Sequence, residues 1–281
     1  MSKTENTDLV LHLQSIWKEK ERCRSLKSSE TFTSNDVRNT CFSQIMNVIN
    51  DYYLGMIGPY FMQRLDRPFR DGLLRPYFPA FNENELYSNL GFLCENHYIK
   101  TWHDLKKAGI VFSMWIVFED SIDIIFNKII SKDNLNNNKL GQFNKIKKLL
   151  EGKISEVDLE IIKSKLQSDY IGINNKYNYV LTSLKIEKSE DIKLKQYREF
   201  LQFFNILRNT LHTNSRPIKD YHFKISIGDF KFEKDKHIDF FSLNVLYESL
   251  VMFIDIFDFI RSKLNFDGEI YNSATLINGS Y

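Results

Sequence analysis

Apolar residues recur at helical spacing through most of this chain, and only one short stretch alternates as a strand does. That pattern limits the fold to a mainly α helical bundle with one small β-hairpin and an additional N-terminal helical region. The most restrictive segment runs from about Phe241 to Leu264, where Val245, Leu246, Leu250, Val251, Phe253, Ile254, Phe257 and Ile260 leave almost no polar side. A helix apolar nearly all round sits at the centre of a bundle or also forms a subunit interface. A second long helix is expected from about Asp104 to Ile130, with Ile110, Met114, Trp115, Phe118, Ile122 and Ile125 on a wide apolar face. Ser113, Asp120, Asp123 and Asn127 line its other side.

The same periodicity predicts helices over about Asp8 to Leu26 and Asn35 to Tyr53, with shorter ones near Leu140 to Leu150, Glu156 to Lys165 and Tyr177 to Leu184. Ser189 is a candidate N-cap, since Glu190 and Asp191 suit the positive end of a helix dipole. The helix it opens carries Tyr197, Phe200, Leu201, Phe204, Leu207 and Leu211, and must stop before Pro217. Beyond it, Phe223, Ile225 and Ile227 alternate with Lys224 and Ser226, Gly228-Asp229 reads as a two-residue turn, and Phe230 and Phe232 alternate with Lys231. This predicts a hairpin over about 222–233.

Four of the five prolines fall between Gly58 and Pro79. Proline removes a helical hydrogen bond, so an irregular connector is expected over about 58–82. It would divide an N-terminal region, 1–100, from a bundle over 101–281.

At 281 residues with 43% hydrophobic and 26% charged residues, the chain has the make-up of a soluble globular protein. A formal charge of +2 argues against a protein that coats nucleic acid, yet permits a local basic groove. Cys23, Cys41 and Cys94 are odd in number and lack CxxC spacing, which predicts reduced thiols and no zinc site. No stretch is apolar for long enough to span a bilayer, and the first residues do not resemble a signal peptide, so a cytoplasmic protein is expected. Walker A, GxGxxG and HExxH patterns are absent.

The stretch with most chemical content is Leu207-Arg208-Asn209-Thr210-Leu211-His212-Thr213-Asn214. Positions four apart share a helix face, so Arg208 and His212 can act on one group. Metal-free RNA cleavage needs a base of near-neutral pKa for the 2′-hydroxyl, an acid for the leaving oxygen and cations on the phosphate. Histidine and arginine supply those properties. Asn205, Arg208, Asn209 and His212 make a polar strip on an otherwise apolar helix. The alternative is structural: an arginine and a histidine in the last turns also suit the negative end of a helix.

Arg-Asn followed by His near the end of a long helix, before a hairpin and a further apolar helix, resembles the HEPN superfamily. The likeness covers roughly Asp104 to Leu264. It implies a metal-independent endoribonuclease without a cofactor, working as a homodimer whose two motif helices form one composite site. It also implies a place in antiviral defence, or as a toxin with an antitoxin partner. Carried over, Arg208 binds phosphate, Asn209 orients and His212 performs acid–base work, leaving a 2′,3′-cyclic phosphate and a 5′-hydroxyl. Three residues separate Arg208 from His212, where the commoner pattern has four to six. Some relatives bind nucleotides or partners without cutting, which gives a second expectation: a non-catalytic module in which Arg208 and His212 organise an interface.

Supporting positions are expected nearby. Glu119 or Asp123, on the long central helix, could pair with Arg208 or hold His212 in one tautomer. They stand four apart and repel unless a cation intervenes. Arg64, Arg67, Arg70 and Arg75 are interleaved with Pro68, Phe69, Tyr77 and Phe78, a pattern that can hold single-stranded RNA or simply anchor a loop. His97, His103 and Cys94 lack a complete ligand set and read as packing residues.

Overall fold

The computed structural model describes residues 3–28, 32–70, 96–131, 155, 157–158, 171–212, 216–236, 238 and 242–271. Among them are six helices: α1 (Lys3–Lys27), α2 (Val37–Arg70), α3 (Asn96–Ile129), α4 (Ile173–Thr182), α5 (Asp191–His212) and α6 (Leu243–Lys263). A two-stranded antiparallel hairpin, β1 (Tyr221–Ile225) and β2 (Gly228–Phe232), lies between α5 and α6. The fold is therefore mainly α with one small β-hairpin. The helix expected over 140–150 lies outside the described residues, as does most of the one near 156–165.

The apolar stripes dictate the packing. Helix α2 runs along α3, α1 lies against α2 and α6, and α4 packs on α3 and α5. Trp115 and Phe118 of α3 are fully buried. The Phe118 ring sits 5.9 Å from both Phe253 and Phe257 of α6 and 6.1 Å from Tyr177 of α4. Each such phenylalanine contributes roughly 1.5–3 kcal/mol by leaving water. On α5, Phe200 and Phe204 turn toward Phe253, at 5.1 and 4.8 Å, while Phe203 turns to the hairpin. The expected division at residue 100 falls inside α3, whose helix is continuous across it, and α1 and α2 share the core with α3 and α6.

Three local expectations are corrected. First, α2 stays helical through Pro59 and Pro68 to Arg70, so 58–70 is no irregular connector; residues 71–82 lie outside the described set. The physical reason is visible at Pro59. Lacking an N–H, it leaves the Gly55 carbonyl without its helical donor. The Trp102 indole of α3 donates to that carbonyl at 2.6 Å. Second, the cap before α5 is Glu187, not Ser189. Glu187 and Glu190 form a reciprocal capping box around a 3₁₀ turn, Lys188–Glu190, that leads into the helix. Third, the hairpin turn is Ser226-Ile227, since Ile225 pairs with Gly228. Gly228 follows it at φ 153°, where an added Cβ would meet the Phe230 ring at 3.0 Å. This register sets Phe223 opposite Phe230 and Tyr221 opposite Phe232.

Cys23 and Cys41 are free and buried, and burial pushes the Cys23 thiol up to about 12. His12 is buried between α1 and α2, with Nε2 3.0 Å from the Tyr52 hydroxyl and Nδ1 without a partner among the described residues. Burial, aided by the Lys107 charge, lowers its pKa to about 4 from 6.5. The unfolded chain thus takes up a proton that the folded chain refuses. The His12 contribution to stability should be lost as pH drops from about 6.5 to about 4, by up to a few kcal/mol, and change no further below. Urea midpoints measured across that window should show the loss in the wild type and not in His12→Gln; an identical profile in both would refute the assignment.

Candidate functional site

Helix α5 positions the motif. Leu207 is fully buried, and Thr210 is turned inward with its hydroxyl bonded to the Ile206 carbonyl at 2.8 Å, which fixes the rotation of the last turns. That rotation brings Arg208 out beside α3, and His212 ends the helix one turn further on. Asn205, one turn before Arg208, is half-buried, while Asn209 is exposed.

Among the described residues Arg208 has two polar contacts. Its Nη1 donates to the Asn209 side-chain oxygen at 3.0 Å, and its Nη2 lies 3.6 Å from Glu119 Oε2. The second distance is an ionic contact too long for a hydrogen bond. With Arg208 34% and Glu119 26% exposed, water screens the pair, and such pairs contribute only about 0–1 kcal/mol. The arrangement steers the guanidinium while engaging only Nη1 in a hydrogen bond among the described residues.

Of the acidic residues on α3, Glu119 therefore meets the motif arginine. Asp123 does not: it is bound by Lys176 of α4 and accepts from Asn127 at 3.2 Å. The repulsion expected between Glu119 and Asp123 is relieved by two different cations, one from α5 and one from α4. Lys176 escapes sequence reasoning because nothing in local spacing links it to a residue 53 positions away. Asp120 has no such cation among the described residues, and partial desolvation together with the Asp123 charge holds its carboxyl above the usual range.

The remaining candidates fall elsewhere. Arg64, Arg67 and Arg70 lie on the last turns of α2, and Arg75 is outside the described residues. His103 is buried, with Nε2 3.0 Å from the Met56 carbonyl, and burial keeps its pKa below the ordinary value. His97 lies in the first turn of α3, and Cys94 is outside the described residues. Among the described residues no three His, Cys, Asp or Glu side chains gather as a metal site, and no helix is long and apolar enough to cross a membrane. Two clefts are formed by described residues. One of about 490 Å³ adjoins Phe32, Arg38 and Arg261, and one of about 510 Å³ lies between α2 and α3. Arg208 lines neither.

No family model, curated protein or solved structure matches this chain.

Proposed function

We propose that this chain is an endoribonuclease that cuts RNA without a metal at the Arg208–His212 face of α5. The observation that carries the reading is the state of Arg208. Among the described residues its Nε and Nη2 have no hydrogen-bond partner, and Glu119 stands at 3.6 Å, near enough to aim the fork and too far to bind it. A phosphodiester can take those donors in bidentate fashion. His212, one turn along the same face, is placed in sequence to take the 2′-hydroxyl proton or to protonate the leaving 5′ oxygen. Asn209 holds one arm of the guanidinium. The products would be a 2′,3′-cyclic phosphate and a 5′-hydroxyl. Arg64, Arg67, Arg70 and Arg75 are candidate contacts for the flanking strand. A role in defence or as a toxin, with or without an antitoxin, rests on the HEPN resemblance alone.

The test is cleavage of varied RNAs in EDTA by the full chain. His212→Ala should lower the rate by roughly 100-fold or more with an unchanged circular dichroism spectrum. Intact RNA with the wild type, or full activity in His212→Ala, would sink the proposal. The second reading, a non-catalytic module that binds a nucleotide or orders an interface, is favoured by the tie between Arg208 and Glu119. It expects no cleavage, and altered oligomeric state or nucleotide binding in Arg208→Ala.

A further inference from the structure

Two arginines line the cleft of about 490 Å³, and only one of them is matched within the fold. Both lie near the Phe32 ring, Arg38 at 3.9 Å and Arg261 of α6 at 5.6 Å. Arg38 is fully engaged. Asp36 takes its Nε and Nη2, and the carbonyls of Phe266 and Gly268 accept from Nη1 and Nη2. Arg261 is 9% exposed, and among the described residues its one hydrogen bond runs from Nη1 to the Leu26 carbonyl. No carboxylate stands within ion-pair distance of it there, and its Nε and Nη2 have no acceptor among those residues.

A guanidinium taken out of water without a counter-charge is unfavourable, because nothing offsets its desolvation. The rings of Phe32 and of Phe42, the latter at 5.8 Å, compensate in part. The unused donors belong to a side chain that lines a cleft, so an acceptor from outside can reach them. A carboxylate matches the guanidinium fork in both plane and spacing.

The cleft does not suit a simple anion. Asp258, three residues before Arg261 on α6, and Asp267, beyond the end of that helix, line it as well. Neither carboxylate has an ion pair or hydrogen bond among the described residues. With Arg38 neutralised by Asp36, the unpaired charges on the wall are one positive, Arg261, and two negative. Acetate or phosphate would be drawn to Arg261 and repelled by both aspartates. A ligand with a carboxylate at one end and a cation at the other satisfies both signs. Leu26, Leu264 and Phe266 add apolar surface to the same wall. The volume falls in the range of small-molecule sites, roughly 300–1,000 Å³.

We propose that this cleft binds a free α-amino acid with an apolar side chain. Its carboxylate lies on Arg261, its ammonium faces Asp258 and Asp267, and its side chain packs on Leu26, Leu264 and Phe266. Arg208 does not line this cleft, so the site is separate from the motif on α5 and does not depend on RNA cleavage. An occupant here touches both the end of α1 and the end of α6, and binding only the folded state should raise the melting temperature.

The experiment is isothermal titration calorimetry of the full chain at neutral pH with L-leucine, L-methionine and L-phenylalanine. At least one should bind with a dissociation constant of about 1 mM or tighter. Two analogues of the best binder separate the charges: the amine that lacks the carboxylate, and the N-acetylated acid that lacks the ammonium. Each should bind about tenfold more weakly or worse. Arg261→Lys keeps the charge and removes the fork, and should weaken the amino acid by about tenfold. Asp258→Asn and Asp267→Asn should each weaken the amino acid and not the N-acetylated acid, with unchanged circular dichroism spectra. Asp229→Asn, on the hairpin, should alter neither. Absence of binding by all three amino acids overturns the proposal. So does acetate or inorganic phosphate binding as tightly as the best of them, or amino-acid binding that both aspartate variants leave intact. None of these readouts involves RNA, so failure here and failure of the nuclease reading are separable.

Discussion

Asp36→Ala should cost this fold about 3–5 kcal/mol, because it strips a buried arginine of its carboxylate. Asp36 is 1% exposed and Arg38 4%. One carboxylate oxygen accepts from the Arg38 backbone at 2.8 Å and from its Nε at 2.9 Å; the other accepts from Nη2 at 2.7 Å and from the Ile270 backbone at 3.0 Å. The same arginine donates to the carbonyls of Phe266 at 3.0 Å and Gly268 at 2.7 Å. Asp36 thus caps the start of α2, neutralises a buried cation and ties the segment after α6 to the first half of the chain. Truncation removes all three effects at once and leaves a buried guanidinium without its carboxylate. Urea unfolding at pH 7 reads the loss, and a cost below about 1 kcal/mol would show that water reaches the site.

The pH dependence of the same pair has a definite sign. Burial alone would raise the Asp36 pKa, but the Arg38 hydrogen bond, the Ile270 and Arg38 backbone N–H groups and the Arg38 charge together hold it below 3.8. Its stabilisation is therefore complete above the unfolded value and lost as pH falls through the folded one. This acid loss lies below the window of His12, so the wild type should lose stability in two stages, and Asp36→Ala should lack the lower one.

Such a tie shows why parts of the molecule are illegible in the sequence. The stripes of α3 and α6 are local properties of their own residues, so both helices and the burial of Trp115, Phe118, Phe253 and Phe257 can be read by counting. The hairpin is legible from the alternation of Phe223, Ile225, Phe230 and Phe232. Its turn is not, because two registers place the same aromatics on one face and only packing against Phe203 selects between them. Pro59 misleads for a related reason. Whether a helix survives proline depends on what replaces the lost donor, and Trp102 lies 43 positions on. At the motif, the spacing of Arg208 and His212 defines a shared face, and the acidic side of α3 makes Glu119 a reasonable neighbour. That Asp123 goes to Lys176 instead is decided by the docking of α4, which no local pattern encodes. The Asp36–Arg38–Ile270 knot joins residues 234 apart and leaves no trace in either segment.

Phe203 is the side chain through which the hairpin is held, and its loss should be felt in two places. A two-stranded hairpin is marginal on its own in water. Here three of its rings close around Phe203 of α5: Phe230 at 4.6 Å, Phe223 at 5.4 Å and Phe232 at 5.8 Å. Phe203 is fully buried by them and by Phe204 at 5.6 Å. Phe203→Ala should therefore destabilise the protein by about 3–5 kcal/mol, the usual cost of emptying a buried phenylalanine site. Part of that loss should be local. Amide exchange over 221–232 should accelerate toward that of a free hairpin, while α3 and α6 keep protection set by the lowered global stability. Phe203→Leu should recover about half, since it refills most of the volume without the ring contacts. Arg208 lies five residues on, about 140° around the helix at 100° per residue, facing α3 and not the hairpin. If the proposed nuclease reading holds, RNA cleavage per folded molecule should accordingly survive Phe203→Leu. A hairpin that stays protected in Phe203→Ala would mean that other contacts hold it, and that α5 carries its motif independently of the sheet.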